Sequence, residues 1–418
     1  MMNIWCISKY ASPAKYSKMP ARLFYLCQEW IKSGHNVTLF TSDANHLAEF
    51  PETTDIYNKE IIDTVPVYWL KTKKYKKTTS LGRILSWFDF ERLLFCFKRS
   101  SVEKPDVVIV SSLSILSILY GFFLKVKYKA FLVFEIRDIW PLTMTEEAGF
   151  SKWHPLVLFI GLVEKFGYKV SDLIVGTMPR LDLHVENILG HKHFNFHCAP
   201  LGFHPENYNV TFNDIENPFS KIIPSDKVVV GYAGSMGITN SLEPFISVIK
   251  DLKCFSNIHF IMVGSGDLRA KFETDLLECD NVTFLPRIQQ NEVKFLLEKC
   301  DILYLSTQHS KVWNYGQSMN KVVEYMLAAK PIVASYTGYP TMINEASCGV
   351  FVSPKEGEHV EVGIKDALLS IAQMTPDARN EMGSRGRDWV YKNRSYKLLA
   401  EQYLSKIESL MPSFDRRK

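Results

Sequence analysis

Val228–Asp267 reads VVVGYAGSMGITNSLEPFISVIKDLKCFSNIHFIMVGSGD. A run of strand length, Val228–Ala233, is followed at once by glycines at 234 and 237. A helix-period segment opens near Leu242, and a second run, Ile258–Val263, ends on Gly264 and Gly266. Strands without polar alternation, separated by helices, are buried on both faces, which is the condition of a parallel sheet. The same rhythm continues through Val282–Leu285, Asp301–Leu305 and Pro331–Ser335. It also runs upstream. Asn3–Ser8, Asn36–Thr41, Val65–Leu70, Asp106–Ser111, Ala130–Ile136 and Asp172–Gly176 read as strands. A helix over Met19–Ser33 has Gly34 as its stop. Between the two series, Pro200–Asp226 has four prolines and no sustained period, which predicts a linker. The expected architecture is α/β, with two Rossmann-like doubly wound domains facing a central cleft: 1–200, a linker over 201–225, and 226–395.

The 418 residues fit two or three domains, and 46% hydrophobic against 22% charged residues excludes disordered, collagenous and coiled-coil classes. A net charge of +4 is too small to imply a nucleic-acid partner. The run Leu113–Leu124 is too short to span a bilayer, and Met1–Tyr10 lacks the pattern of a secretory signal, so a cytoplasmic protein is expected. The eight cysteines form no CxxC pair, which argues for reduced thiols over zinc or disulfides. His191, His193 and His197 are the one histidine cluster, and loop histidines are most often polar surface.

The glycine loops suit an anion at a helix N-terminus, although a tight βα turn without ligand uses the same residues. A dinucleotide fingerprint in the second loop needs glycine at 269, where Arg269 stands, so an NAD-dependent enzyme loses its support. No Walker A loop and no Asp-x-Asp is present. In Trp313–Val333, WNYGQSMNKVVEYMLAAKPIV, the polar Ser318, Asn320, Lys321 and Glu324 open an apolar helix. Lys321 and Glu324 share a face. They read either as a surface ion pair or as a cation for a diphosphate beside a carboxylate that accepts from ribose hydroxyls.

Taken in order, YAGSMG, VGSGDL, FLPRIQQNEVKFLLEKCDILYLS and SMNKVVEYMLAAKPIVAS resemble the donor-nucleotide half of GT-B glycosyltransferases of family 4, in the bacterial branch that builds O-antigen and capsule repeat units. ASPAKYSKMPAR, SGHNVTLFTS, EIRDIWP and VSDLIVGTMPRL extend the resemblance over the first half, and RGRDWVYKNRSYKLLAEQYLSKI resembles the last helices, with about 396–418 returning to the first domain. The resemblance implies a retaining, metal-independent transferase without cofactor. Its donor would be a UDP-sugar, an N-acetylated hexosamine or deoxyhexosamine, with GDP and dTDP open as carriers. Its acceptor would be a saccharide on undecaprenyl diphosphate, with the protein peripheral on the inner face of the cytoplasmic membrane. It implies that Gly234, Ser235 and Gly237 face the donor diphosphate with Gly264, Ser318 and Asn320 nearby, that Lys321 neutralises it, that Glu324 holds the ribose and that Arg287 frames the base. Arg137 and Asp138 would serve the acceptor side, Asp138 as an orienting group or as half of a structural pair with Arg137. Two departures stand out. The family's glutamate eight residues before Glu324 is replaced by Gly316, and its cation after the first glycine loop by Ile238-Thr239-Asn240. Alternatives are a sugar-nucleotide 2-epimerase of the same fold and a non-catalytic nucleotide-binding relative.

Lys71–Arg99 carries nine basic residues against Asp89 and Glu91, interleaved with Trp87, Phe88, Phe90, Phe95 and Phe97. The pattern predicts docking on an anionic membrane, or else a solvated lysine loop followed by an ordinary core helix.

Overall fold

The computed structural model describes residues 1–13, 15–16, 22–44, 53–75, 81–208, 217, 219–340, 342–353 and 359–411. The chain divides into two compact units, Met1–Gly202 with Tyr396–Lys418, and Phe203–Ser395.

The first unit runs β1 (Asn3–Ile7), α1 (Arg22–Lys32), β2 (Asn36–Ser42), β3 (Tyr57–Ile62), β4 (Val65–Leu70), α2 (Leu81–Cys96), β5 (Val107–Ser111), α3 (Ser117–Tyr128), β6 (Phe131–Ile136), α4 (Leu142–Glu146), α5 (Pro155–Val170), β7 (Leu173–Gly176), α6 (Leu181–Leu189) and β8 (Phe196–Cys198). Its sheet has the order β3-β4-β2-β1-β5-β6-β7-β8. Every pair is parallel except β3 with β4. All residues of β5 and β6 are buried, as expected of strands covered by helices on both faces. Gly34, at φ 85°, ends the helix-to-strand turn after α1.

The second unit runs α7 (Pro205–Tyr208), β9 (Val228–Ala233), α8 (Glu243–Asp251), β10 (Ile258–Val263), α9 (Arg269–Asp275), β11 (Val282–Leu285), α10 (Gln290–Glu298), β12 (Ile302–Ser306), α11 (Asn320–Leu327), β13 (Ile332–Ser335), α12 (Met342–Glu345), β14 (Gly349–Val352), α13 (Val360–Ala372) and α14 (Pro376–Asn393). The sheet order is β11-β10-β9-β12-β13-β14, all parallel. After β11 the winding reverses and returns to β12 on the other side of β9, and the gap between β9 and β12 is the place where doubly wound sheets open a crevice at their strand ends.

The stretch expected to be a linker is partly core. Residues 209–216 and 218 lie outside the described residues, but Phe219 and Ile223 are buried in the second unit and Asn217 Nδ2 donates to the Phe295 carbonyl (3.0 Å). The chain then returns to the first unit as α15 (Tyr396–Leu410). There Trp30 of α1 stacks edge-on against Tyr403 and donates its indole N–H to the Ala400 carbonyl (3.1 Å).

One interaction in the first unit has no local signature in the sequence. Arg22 of α1 and Glu135 of β6 are both fully buried and form an ion pair at 2.8 Å. The same guanidinium donates to the Ala199 and Pro200 carbonyls (2.5 and 3.1 Å), where the chain leaves the sheet. It therefore ties a helix, the central sheet and the exit segment to one point.

Candidate active site

In the second unit, the loop after β9 and the N-terminal turn of α11 come together. Lys321 Nζ donates to Tyr232 Oη (3.2 Å) and Asn240 Oδ1 (3.3 Å) and lies over the Tyr232 ring, 4.5 Å from its centroid. A Cβ on Gly234 would sit 2.5 Å from Lys321 Nζ, so a side chain there would push the ammonium out of its place. Tyr232 is fixed in turn by donating to the Ser235 carbonyl (2.6 Å). One turn along α11, the Tyr325 hydroxyl accepts from the Ala233 N–H (2.9 Å) and donates to the Ala233 carbonyl (3.2 Å), pinning the helix to the end of β9. Glu324 lies beside this face and accepts from Gln290 Nε2 at the start of α10 (2.6 Å).

The electrostatics of the pair are those of a half-dry site. Burial pushes Lys321 down to about 8, against the attraction of Glu324. It pushes Glu324 up to about 7, opposed by the Gln290 hydrogen bond and by Lys321. Burial thus outweighs their mutual attraction, and both groups change charge close to neutrality. No salt bridge joins Lys321 to Glu324, and each is held by a neutral partner, with its charge available to a ligand.

The glycines divide into two kinds. The Gly234 N–H donates to the Val263 carbonyl (2.9 Å). The N–H groups of Ser235 and Gly237 have no protein acceptor among the described residues. Gly264 and Gly266 serve packing. A Cβ on Gly264 would overlap the Gly234 carbonyl and one on Gly266 the Met236 carbonyl, while Met236 N–H donates to the Ser265 carbonyl (2.9 Å). The two loops are laid backbone on backbone. Gly264→Ala is expected to destabilise the second unit by about 1–3 kcal/mol, because the obstructing atom belongs to the backbone and cannot swing away. Urea denaturation checks this, and an unchanged midpoint contradicts it.

Arg269, which displaces the third glycine of a dinucleotide fingerprint, has its own task. It donates to the carbonyls of Gly264 (2.6 Å) and Leu285 (2.9 Å), closing the ends of β10 and β11. Gly316, at φ 93°, closes the turn before α11 and donates its N–H to the Trp313 carbonyl (3.0 Å). A glutamate there would be strained by the positive φ. Ser318 and Asn320 are half-buried at the start of α11, and Arg287 is exposed after β11. Tyr232, Asn240, Gln290 and Tyr325 were not expected from the sequence; only Asn240, at the place of the absent cation, carried a signal.

In the first unit, Arg137 and Asp138 follow β6. No hydrogen bond or ion pair joins their side chains among the described residues. Burial raises Asp138, while Arg137 and Arg83 act to lower it. Burial lowers Arg137. The buried ion pair of this part of the sheet is Arg22–Glu135, formed by the residue two positions before Arg137. His191 and His193 are exposed, His197 is pushed down to about 4 by burial, and no group of three or more metal-ligating side chains occurs among the described residues.

The aromatics of Lys71–Arg99 divide between core and surface. Trp87, Phe90 and Phe97 are core residues, and only Phe88 and Phe95 face solvent. Lys74 is paired with the buried Asp43 at 2.8 Å, and Lys76 and Lys77 lie outside the described residues. No helix among the described residues is long and apolar enough to cross a membrane.

Residues 227–369 match the family model "Glycosyl transferases group 1". Sucrose-phosphate synthase from Thermosynechococcus elongatus superposes with a TM-score of 0.69 at 15% identity, over 98% of this chain and 99% of that one. HepE from Anabaena, solved in complex with UDP-glucose, gives 0.62 at 14% over 98% and 100%. An E. coli trehalose-6-phosphate protein bound with UDP-2-fluoro glucose gives 0.71 at 11% over 98% and 100%. No curated protein sequence matches. The chain thus has the GT-B fold, and its second unit carries a glycosyl transferases group 1 domain, which makes it an enzyme of the sugar-transferring class.

Proposed function

We propose that the protein moves a sugar from a UDP-sugar to a lipid-linked saccharide, with retention of configuration and without a metal, in the synthesis of a surface polysaccharide. The observation that carries the donor half is the meeting of the Gly234 loop, Lys321 and Glu324 at the point where the second sheet reverses its winding. Lys321 and the N–H groups of Ser235 and Gly237 face the diphosphate and stabilise the charge that builds on it as the glycosidic bond breaks. Glu324 accepts from the ribose hydroxyls, displacing Gln290. With glycine at 316, donor-sugar contacts come from backbone between Tyr315 and Met319. The acceptor hydroxyl attacks from the face the nucleotide leaves. Two solved neighbours of the same fold hold UDP or UDP-sugars, which supports UDP as the carrier.

The pH dependence of UDP affinity tests the reading. Glu324 is the better acceptor when ionised, so affinity rises as pH climbs through about 7. Lys321 loses its charge as pH passes about 8, so affinity falls above it. Calorimetry from pH 5.5 to 9.5 is expected to give a narrow maximum between these limbs. Glu324→Gln removes the acid limb and keeps the alkaline one. An affinity flat across this range sinks the assignment of both residues.

A further inference from the structure

The first unit leaves an apolar helix face uncovered. On α5, Leu158, Phe159 and Leu162 are 50, 41 and 70% exposed, and just before it Phe150 and Trp153 are 38 and 83% exposed. Leu158, Phe159 and Leu162 follow helix spacing and form one stripe, and Phe150 and Trp153 add two exposed rings in the segment that leads into it. The other side of α5 is ordinary core, with Val157, Ile160 and Val163 buried. Folding therefore accounts for one side of this helix and leaves the other unexplained. The stripe adjoins α3 through the edge-on contact of Phe122 with Phe166, and Val126 of α3 is 65% exposed.

The charge around the stripe is one-sided. Between Ser117 and Val170 the exposed charged residues are Lys127, Lys129, Lys152, Lys165 and Lys169, with Glu147 as the single exposed acid. The acid on α5 itself, Glu164, is buried and accepts from Tyr168 Oη (3.0 Å) and pairs with His184 (2.8 Å). A protein partner would need pockets matched to these side chains. A bilayer needs only an apolar stripe, an indole at the interface and lysines that reach anionic headgroups.

We propose that the α5 face, led by Trp153, is where this protein lies on an anionic lipid surface. The contact is put on α5 rather than on α2 because Trp153 and Leu162 are 83 and 70% exposed, against 50, 48 and 42% for Leu85, Phe88 and Phe95 of α2. The inference rests on the reading that the acceptor is lipid-borne, because a lipid-linked sugar is reached only by an enzyme held at the headgroup level.

The test is sedimentation of the full chain with phosphatidylcholine vesicles, with and without phosphatidylglycerol. Wild type is expected to bind the anionic vesicles and release in high salt. The double variant Trp153→Ser/Leu162→Ser is expected to bind at least tenfold more weakly, and Lys165→Gln/Lys169→Gln to lose the preference for anionic lipid. Lys71→Gln/Lys73→Gln is expected to bind as wild type. Since these side chains are exposed, all variants should keep the wild-type thermal stabilisation by UDP. Wild-type binding by the double variant, or no vesicle binding by the wild type, overturns the proposal. A wild-type dimer that the double variant turns into a monomer also overturns it, because a second copy would then cover the face. If UDP stabilises no form while vesicle binding behaves as described, the donor assignment fails and the docking surface stands.

Discussion

Replacing Lys321 with methionine is expected to lower turnover by a factor on the order of 10² to 10³, the range found when one preorganised donor to developing charge is removed. Methionine keeps most of the volume over the Tyr232 ring and leaves the Tyr325–Ala233 bonds in place, so the fold should survive. Lys321→Arg should rescue poorly. The ammonium sits in a slot bounded by the Gly234 backbone, Tyr232 and Asn240, and the larger planar guanidinium needs the space that Gly234 leaves empty. Single-turnover release of UDP from a UDP-sugar reads this step directly. A methionine variant within threefold of wild type would remove Lys321 from the chemistry.

The largest effect on stability is expected at Arg22. Arg22→Met strands the Glu135 carboxylate in a site with no solvent and also leaves the Ala199 and Pro200 carbonyls without their donor. Breaking one side of a buried pair costs about 3–5 kcal/mol. The double variant Arg22→Met/Glu135→Leu should recover a large part, since it removes the unpaired charge. A double variant as damaged as the single would mean that the guanidinium bonds to the exit carbonyls, and not the ion pair, carry the effect. Urea unfolding followed by near-UV signals of the first unit's buried tryptophans, Trp5, Trp30 and Trp69, separates these outcomes.

The core of both sheets was legible because its strands are mostly apolar runs without polar alternation, such as Val107–Ser111 in the first and Ile302–Ser306 in the second. What escaped was at the margins. β3, Tyr57–Ile62, is a half-exposed antiparallel edge strand with Asn, Lys and Glu in it, and β8 is three residues long. In α2 the helical period already separates Trp87, Phe90, Leu94 and Phe97 on the core side from Leu85, Phe88 and Phe95 on the other. Reading the segment by composition hid that division. Lys321 and Glu324 were visible because they lie three apart at a helix start. Tyr232, Gln290 and Asn240 reach them from a strand, a helix start and a loop, 89, 34 and 81 residues away from their partners. Arg22 and Glu135 stand 113 residues apart, in positions where each alone reads as a surface charge.

The central claim is that the second unit binds a nucleoside diphosphate through Lys321 and Glu324 without a metal. Thermal unfolding of wild type and Glu324→Ala in EDTA, with UDP, GDP, dTDP or NAD, tests it most directly. At 100 times its dissociation constant, a ligand adds about 2.7 kcal/mol to the stability of the native state. The account predicts a clear rise with UDP for wild type, little rise with NAD, and loss of the UDP effect in Glu324→Ala. A folded wild type that no nucleoside diphosphate stabilises, or a Glu324→Ala variant stabilised as much as wild type, would contradict it.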